Sequence, residues 1–243
     1  MLRQLTLILG VATLAALSAC GDSESDTPDP NVLLPDFEAA SFVASIDNDY
    51  LPFTPGSHWV YEGMDEGEFE HIEITVEATG KDVMGVEAVV VRDVVTLPDG
   101  VIEDTYDWFA QDSDGNVWYL GEDTMEIEDG EIVSTEGSWE AGSDGASAGI
   151  LMWADPMAHV GSPYYQEFYG GHAVDYAEVV RIEPSLTVAA GTFENVLVTR
   201  ERDPLEPGLA ELKYYAPGVG LILEEIEEGG EARIELISFT IAE

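Results

Sequence analysis

The chain has 243 residues, with 50 acidic side chains against 8 basic ones, a formal net charge of −42, and 45% hydrophobic residues. That apolar content supports a packed core, so the charge alone does not make the chain disordered. The charge excludes nucleic-acid binding, which depends on Lys and Arg neutralising phosphates, and it disfavours phosphorylated ligands; it suits cations, a cationic protein partner, or solubility in saline surroundings.

Residues 1–19, MLRQLTLILGVATLAALSA, read as a signal peptide. Arg3 is the only charge before Asp22, and the apolar run from Leu5 to Leu17 is shorter than the ~20 residues of a membrane span. Leu17-Ser18-Ala19-Cys20 resembles the bacterial lipobox, in which cleavage before the cysteine accompanies lipidation of its thiol. Cys20 is the sole cysteine, so a lipidated chain keeps no disulfide, no redox thiol and no cysteine zinc site. The expected location is the cell envelope of a Gram-negative bacterium. Gly21, where an Asp would favour retention, points to the outer membrane facing the periplasm. Residues 20–35 read as an acidic flexible tether, and 36–48 as a lead-in. Phe37, Ala40, Phe42 and Val43 suggest a short helix within it, over about residues 36–46.

From Leu51 onward the hydrophobic period is two, and residues 50–243 read as a single antiparallel β domain. In HIEITVEAT, Ile72, Ile74, Val76 and Ala78 share one face of a half-buried strand. EAVVVRDVVTL is more continuously apolar and suits a central strand. Asp-Gly pairs at 99–100, 114–115, 129–130 and 144–145 recur at a spacing of 15 and supply the backbone that tight hairpins need, although the last lies in a small-residue, loop-like stretch. The aromatic stretch GILMWADPMAHVGSPYYQEFYGGHAVDY reads as a cover for an open end or edge of the sheet. YAEVVRIEPSLTV aligns Val180 and Ile182, then Leu186 and Val188. EARIELISFTIA slips from Leu236 to Ile237, which predicts a bulge. The fold class is all-β: a large curved antiparallel sheet, barrel or half-barrel, built as a β-meander with at most one short N-terminal helix.

DSDGNVWYLGEDT offers Asp112, Asp114 and Asn116 as oxygen ligands for calcium. The EF-hand pattern fails, because Val117 stands where the turning Gly belongs and Asp123 where the closing Glu belongs. A hairpin turn is the stronger reading, with Trp118 and Leu120 on one face and Val117 and Tyr119 on the other. A looser calcium-type site is the alternative. Met152, Met157, His159 and His172 lack copper-site spacing. No nucleophile elbow, zincin helix, Walker loop or dinucleotide fingerprint occurs, and carboxylates are too frequent to single out a glycosidase pair. The chain therefore reads as non-catalytic, with no cofactor unless calcium. Trp108, Trp118, Trp153 and Tyr165 are candidate lining residues for an apolar ligand in the sheet's concavity. The further alternative is a scaffold with a cationic protein partner.

Three stretches, LPFTPGSHWVYEG, TVAAGTFENVLVTRER and ELKYYAPGVGLILEE, together resemble a group of bacterial secreted proteins and lipoproteins of unknown function. In that group a PLxPGxxWxY strand opens an antiparallel sheet, AGTFENV turns into a strand and YYAPGVGLV joins the last strands. The resemblance spans roughly residues 51–239, implies a β fold and transfers no catalytic residue. A more distant similarity is to the half-barrels of lipoprotein-sorting carriers, which hold acyl chains in an apolar concavity.

Overall fold

The computed structural model describes residues 27–242. The signal peptide, Cys20 and the first part of the tether lie outside the described residues. Among these, the strands are β1 (Phe42–Val43), β2 (His58–Asp65), β3 (Glu68–Val76), β4 (Lys81–Val83), β5 (Val86–Leu97) and β6 (Gly100–Asp112). The middle of the chain adds β7 (Val117–Glu128), β8 (Glu131–Ser134), β9 (Trp139–Glu140), β10 (Ser147–Met152) and β11 (Tyr164–Tyr169). The last strands are β12 (Ala173–Val188), β13 (Gly191–Arg202), β14 (Ala210–Ala216), β15 (Gly220–Glu228) and β16 (Ala232–Thr240).

The fold is a closed antiparallel barrel of 12 strands with extra strands on its rim. Its wall runs β2, β3, β5, β6, β7, β10 to β16 in chain order, and β16 pairs back onto β2. Each wall strand thus lies beside its neighbour in sequence, the meander that hairpin turns produce. Closure removes the sheet edges that would otherwise invite pairing with other chains. Of the two expected forms, barrel and half-barrel, the sheet takes the closed one. β1 adds to β6, β4 to β5, and β8 and β9 to β7.

The Asp-Gly turns behave as their chemistry dictates. Those at 99–100, 114–115 and 129–130 join β5 to β6, β6 to β7 and β7 to β8, while 144–145 turns in the loop before β10. The anticipated helix over 36–46 is reduced to a three-residue 3-10 turn, Ala39–Ser41. Phe37 and Phe42 instead pack edge-on against Trp118, which holds this stretch extended along the wall. The aromatic stretch from Gly149 is in large part wall itself, forming β10, β11 and the start of β12, while residues 153–163 loop between β10 and β11 through a 3-10 turn, Pro156–His159. In β12 a register shift between Val179 and Arg181 puts Val179 in the core, with Val180 and Ile182 half-buried. The bulge anticipated in β16 falls between Leu236 and Ser238.

A barrel of this many strands encloses more space than small side chains can fill. One half of the lumen is filled by aromatic and branched residues, among them Trp59, Tyr61, Phe109, Tyr119, Tyr164 and Tyr215, all buried. Leu51 and Phe53 of the lead-in plug that end, with Phe53 edge-on to Trp59 and tilted against Phe109. The remaining void among Phe53, Trp59, Leu151 and Leu221 is about 20 Å³, room for a water molecule and no more. The family-like stretches meet here. Trp59 Nε1 donates to Val219 O at 2.7 Å and the Tyr61 hydroxyl donates to Leu221 O at 3.0 Å, which ties the opening strand to the β14–β15 turn.

Candidate functional site

The other half of the lumen is lined with acid. Asp65 on β2, Glu70 on β3, Asp93 on β5, Glu103 and Asp107 on β6 and Glu122 on β7 are all buried. Glu167 on β11, Asp175 on β12, Glu201 on β13, Glu211 on β14 and Glu224 on β15 complete the ring and are also buried. One basic residue sits among these carboxyl groups: Lys213 on β14, with 0% exposure. Its Nζ lies 2.9 Å from Glu201 Oε2 and 3.8 Å from Glu224 Oε2. The six other described basic residues stand on the outer surface in ion pairs, as in the two-pronged contact of Arg92 with Asp104 at 2.7 Å and 2.7 Å.

Register makes the crowding specific. Asp107 lies directly across from Glu122, Glu167 across from Asp175, and Glu201 across from Glu211. Like charges placed so are destabilising in a sheet, and burial raises the cost further. Of these, Asp107, Glu122, Glu167, Asp175 and Glu211 are pushed toward their protonated forms. Burial, then Asp65 and Glu103, pushes Glu70 up to about 8. Burial pushes Glu211 up to about 7 against the pull of Lys213. Asp107 rises to about 7, burial outweighing its hydrogen bond from Tyr119. Burial first, and then their acidic neighbours, sets Asp93, Glu122, Glu167, Asp175 and Glu224 well above the ordinary carboxylate range. For Lys213, burial alone would lower the value; Glu201 and Glu224 outweigh it and hold the ammonium charged.

The Tyr119 hydroxyl sharpens this account. It lies 2.8 Å from Asp107 Oδ1 and 2.9 Å from Glu122 Oε2. A phenol has one proton to donate, so two carboxylates cannot both accept it. The remaining oxygens, Asp107 Oδ2 and Glu122 Oε1, have no hydrogen-bond partner, nor does either oxygen of Asp93. Beside them the Thr105 and Thr124 hydroxyls meet at 2.6 Å. Among the described residues, no three carboxylate, imidazole or thiol groups stand together in an arrangement that holds a metal ion as it is.

The residues expected to form sites are scattered. Asp112 accepts the backbone N–H groups of Asp114 and Asn116 on Oδ1, and the Asn116 amide and Trp118 indole N–H on Oδ2, each at 2.9 Å. Four donors on one carboxylate knit a hairpin turn; Asn116 uses its own side-chain oxygen to accept the Ala154 N–H. Trp118 faces outward against Phe37 and Phe42, Trp108 lies under the Lys81 ammonium at 3.0 Å, and Trp153 stacks on His159 at 3.9 Å. Tyr165 packs on Phe168 outside the barrel and lines a groove of about 770 Å³ with Thr27–Pro30, Val174, Tyr176 and Leu209. The four aromatics therefore do not converge on one cavity. The acid lumen was missed although a signal existed: Glu70 is in phase with Ile72, Ile74 and Val76, and Asp93 with Val91 and Val95.

No protein family and no curated protein matches the sequence. Among solved structures the chain is similar to one described as a "putative lipoprotein" from Parabacteroides distasonis ATCC 8503, at 15% identity and a TM-score of 0.39, over 79% of this chain and 99% of that one.

Proposed function

We propose that the chain is a lipid-anchored, non-catalytic cell-envelope protein, attached through Cys20 to the outer membrane and facing the periplasm, whose barrel acts by binding. The observation that carries this reading is Leu17-Ser18-Ala19-Cys20 behind its short apolar run, only seven residues before Thr27, where the chain already lies on the barrel wall. Fully extended, seven residues reach about 25 Å, so the barrel rides close to the bilayer. The lead-in is fastened to the wall by the Asp29 N–H donating to the Tyr165 hydroxyl at 2.8 Å and by Leu33 bridging Pro163 and Tyr165. Thr27 also lies near Arg202 and Asp203, at the acid end of the lumen, so that end is the one nearer the anchor.

For a non-catalytic chain it is relevant that the histidine–carboxylate contacts of His71 with Glu62 and Glu73 stand on the outer face of β3, outside the lumen. An apolar ligand finds no room in the plugged half of the lumen, and the groove beside Tyr165 has the size of a small-molecule site. Mass spectrometry of the protein from its native membrane tests the anchor. The N-terminal peptide should begin at Cys20 and carry a diacylglyceryl mass, and Cys20→Ser should release the protein from the membrane. A free Cys20 thiol on membrane-purified protein would overturn the proposal.

A further inference from the structure

We propose that the groove beside Tyr165 seats an acyl chain of the protein's own lipid, the one carried by Cys20, when the protein is outside a bilayer; this rests on the reading of Cys20 as the anchor. The groove, of about 770 Å³, lies over the outer side of β11 and β12, between the lead-in and the β13–β14 loop. Its floor is a second apolar cluster, separate from the lumen: Tyr165, Phe168 and Val174, with Tyr176 packed beside them. Both walls carry prolines, Pro28 and Pro30 on the lead-in and Pro204 and Pro207 on the loop, and Leu209 adds to the loop side. Proline has no N–H to donate, so an apolar occupant covers these walls with few backbone donors left to satisfy.

The polar groups of the lining are already engaged within the protein. Asp29 Oδ1 accepts the backbone and side-chain N–H groups of Asn31, each at 2.8 Å. Asp203 Oδ1 accepts the Leu205 N–H at 2.6 Å, and Arg202 pairs with Glu228 at 3.3 Å. The Tyr165 hydroxyl accepts the Asp29 N–H at 2.8 Å. What the groove offers a ligand is therefore apolar surface between two walls, which suits an elongated hydrocarbon, and its size is that of a small-molecule site.

The position of Thr27 selects the source of that hydrocarbon. Thr27 lines the groove, and Cys20 stands seven residues before it. The lead-in wall is fixed in place, since the Leu33 N–H donates to Pro163 O at 3.0 Å and its carbonyl accepts the Tyr165 N–H at 2.9 Å. A ligand tied to its site by so short a linker is present at an effective concentration on the order of millimolar. The net charge of −42 repels the anionic head groups of free lipids, whereas a diacylglyceryl group on a thiol carries no charge. An acyl chain in water is penalised for every methylene it exposes, so it folds back into the groove where no bilayer is at hand, and a bilayer takes it out again.

Two measurements on full-length protein test this. Cys20→Ser, which carries no lipid, should bind a pyrene-labelled monoacylglycerol, an uncharged acyl probe, at one saturable site. Adding Leu209→Asp, or separately Tyr176→Asp, should weaken that site by at least about tenfold, because each sets a charge against hydrocarbon. Both residues are half-buried on the outer surface, so both variants should melt as Cys20→Ser does, which shows that lost binding is not unfolding. Light scattering on the lipidated protein, freed of detergent, should show smaller assemblies than lipidated Leu209→Asp forms. Absence of probe binding to Cys20→Ser overturns the proposal, as does undiminished binding by both groove variants. Equal assemblies with and without Leu209→Asp also overturn it: the groove then takes free acyl chains and not the protein's own. The mass of the Cys20 peptide is measured first, so a failure of the anchor reading is told apart from a lipidated protein whose groove stands empty.

Discussion

At the scale of single residues, Lys213 decides how much charge the lumen can carry. It is fully buried, and its ammonium is the counter-ion of Glu201 at 2.9 Å. Removing one partner of a buried pair leaves an uncompensated charge and costs about 3–5 kcal/mol, whereas replacing both partners with neutral groups of similar volume costs much less. Lys213→Met should therefore lower the unfolding free energy in urea at neutral pH by about that amount. Lys213→Met combined with Glu201→Gln should recover most of the loss. A single variant within about 1 kcal/mol of the unaltered protein would mean that the burial of Glu201 does not depend on the Lys213 ammonium. Asp112 offers a contrast, since its charge is answered by four N–H donors instead of a cation. Asp112→Ala strands those donors at a hairpin and should cost about 2–4 kcal/mol on the same assay, with calcium making no difference to the size of the loss.

At the scale of elements, the acid cluster depends on a break in alternation. Tyr119 and Glu122 are three residues apart, and in a regular strand they would face opposite sides of the sheet. Both face the lumen because β7 slips register against β6 between Trp108 and Phe109, opposite Gly121 and Tyr119. Gly121 has φ +135°, and a Cβ there would stand 2.3 Å from the carbonyl oxygen of Trp139. Gly121→Ala should destabilise the domain by about 1–3 kcal/mol and should shift the Tyr119 hydroxyl resonance, since the residue that sets Glu122 against Tyr119 is the one disturbed. A register shift in β11 between Tyr165 and Glu167 likewise accompanies the burial of both Tyr164 and Glu167.

Such slips explain what the sequence did and did not disclose. Period-two alternation and Asp-Gly turns were enough for the antiparallel meander, because both are local. Closure depends on β16 reaching β2 across the whole chain, which no local pattern records. The acid lumen stayed hidden for a different reason. Carboxylates alternating with apolar residues normally mark a solvent face, and after a bulge the same spacing marks the inside. Where no bulge intervenes, as with Asp93 between Val91 and Val95, the in-phase carboxylate was readable. Asp112, Asp114 and Asn116 drew attention because they are adjacent in sequence, while Asp93, Asp107 and Glu122 become neighbours only through strand pairing.

At the scale of the whole molecule, an apolar half locks the barrel and an acid half loads it with charge that the interior resists. The pH dependence of stability follows with a definite sign. Glu70 near 8 and Asp107 and Glu211 near 7 hold protons in the folded state that the unfolded chain gives up at ordinary carboxylate values, and Asp93, Glu122, Glu167, Asp175 and Glu224 shift the same way. Folded-state values raised above unfolded ones make stability complete at low pH and lost as pH rises through the folded values, because the native state binds more protons than the unfolded one. Each group that must ionise costs about 1.4 kcal/mol per pH unit, and each kcal/mol moves the melting temperature of a chain this size by about 2–4 °C. Scanning calorimetry in chelator should therefore show the melting temperature falling by several degrees or more between about pH 6 and pH 8. Surface carboxylates, already ionised in that window, contribute repulsion that salt screens. The fall should thus persist at high salt, where a surface effect would vanish. A melting temperature that is flat or rising across the window would show that the lumen carboxyl groups are not held as acids, and that their burial is relieved by some other means.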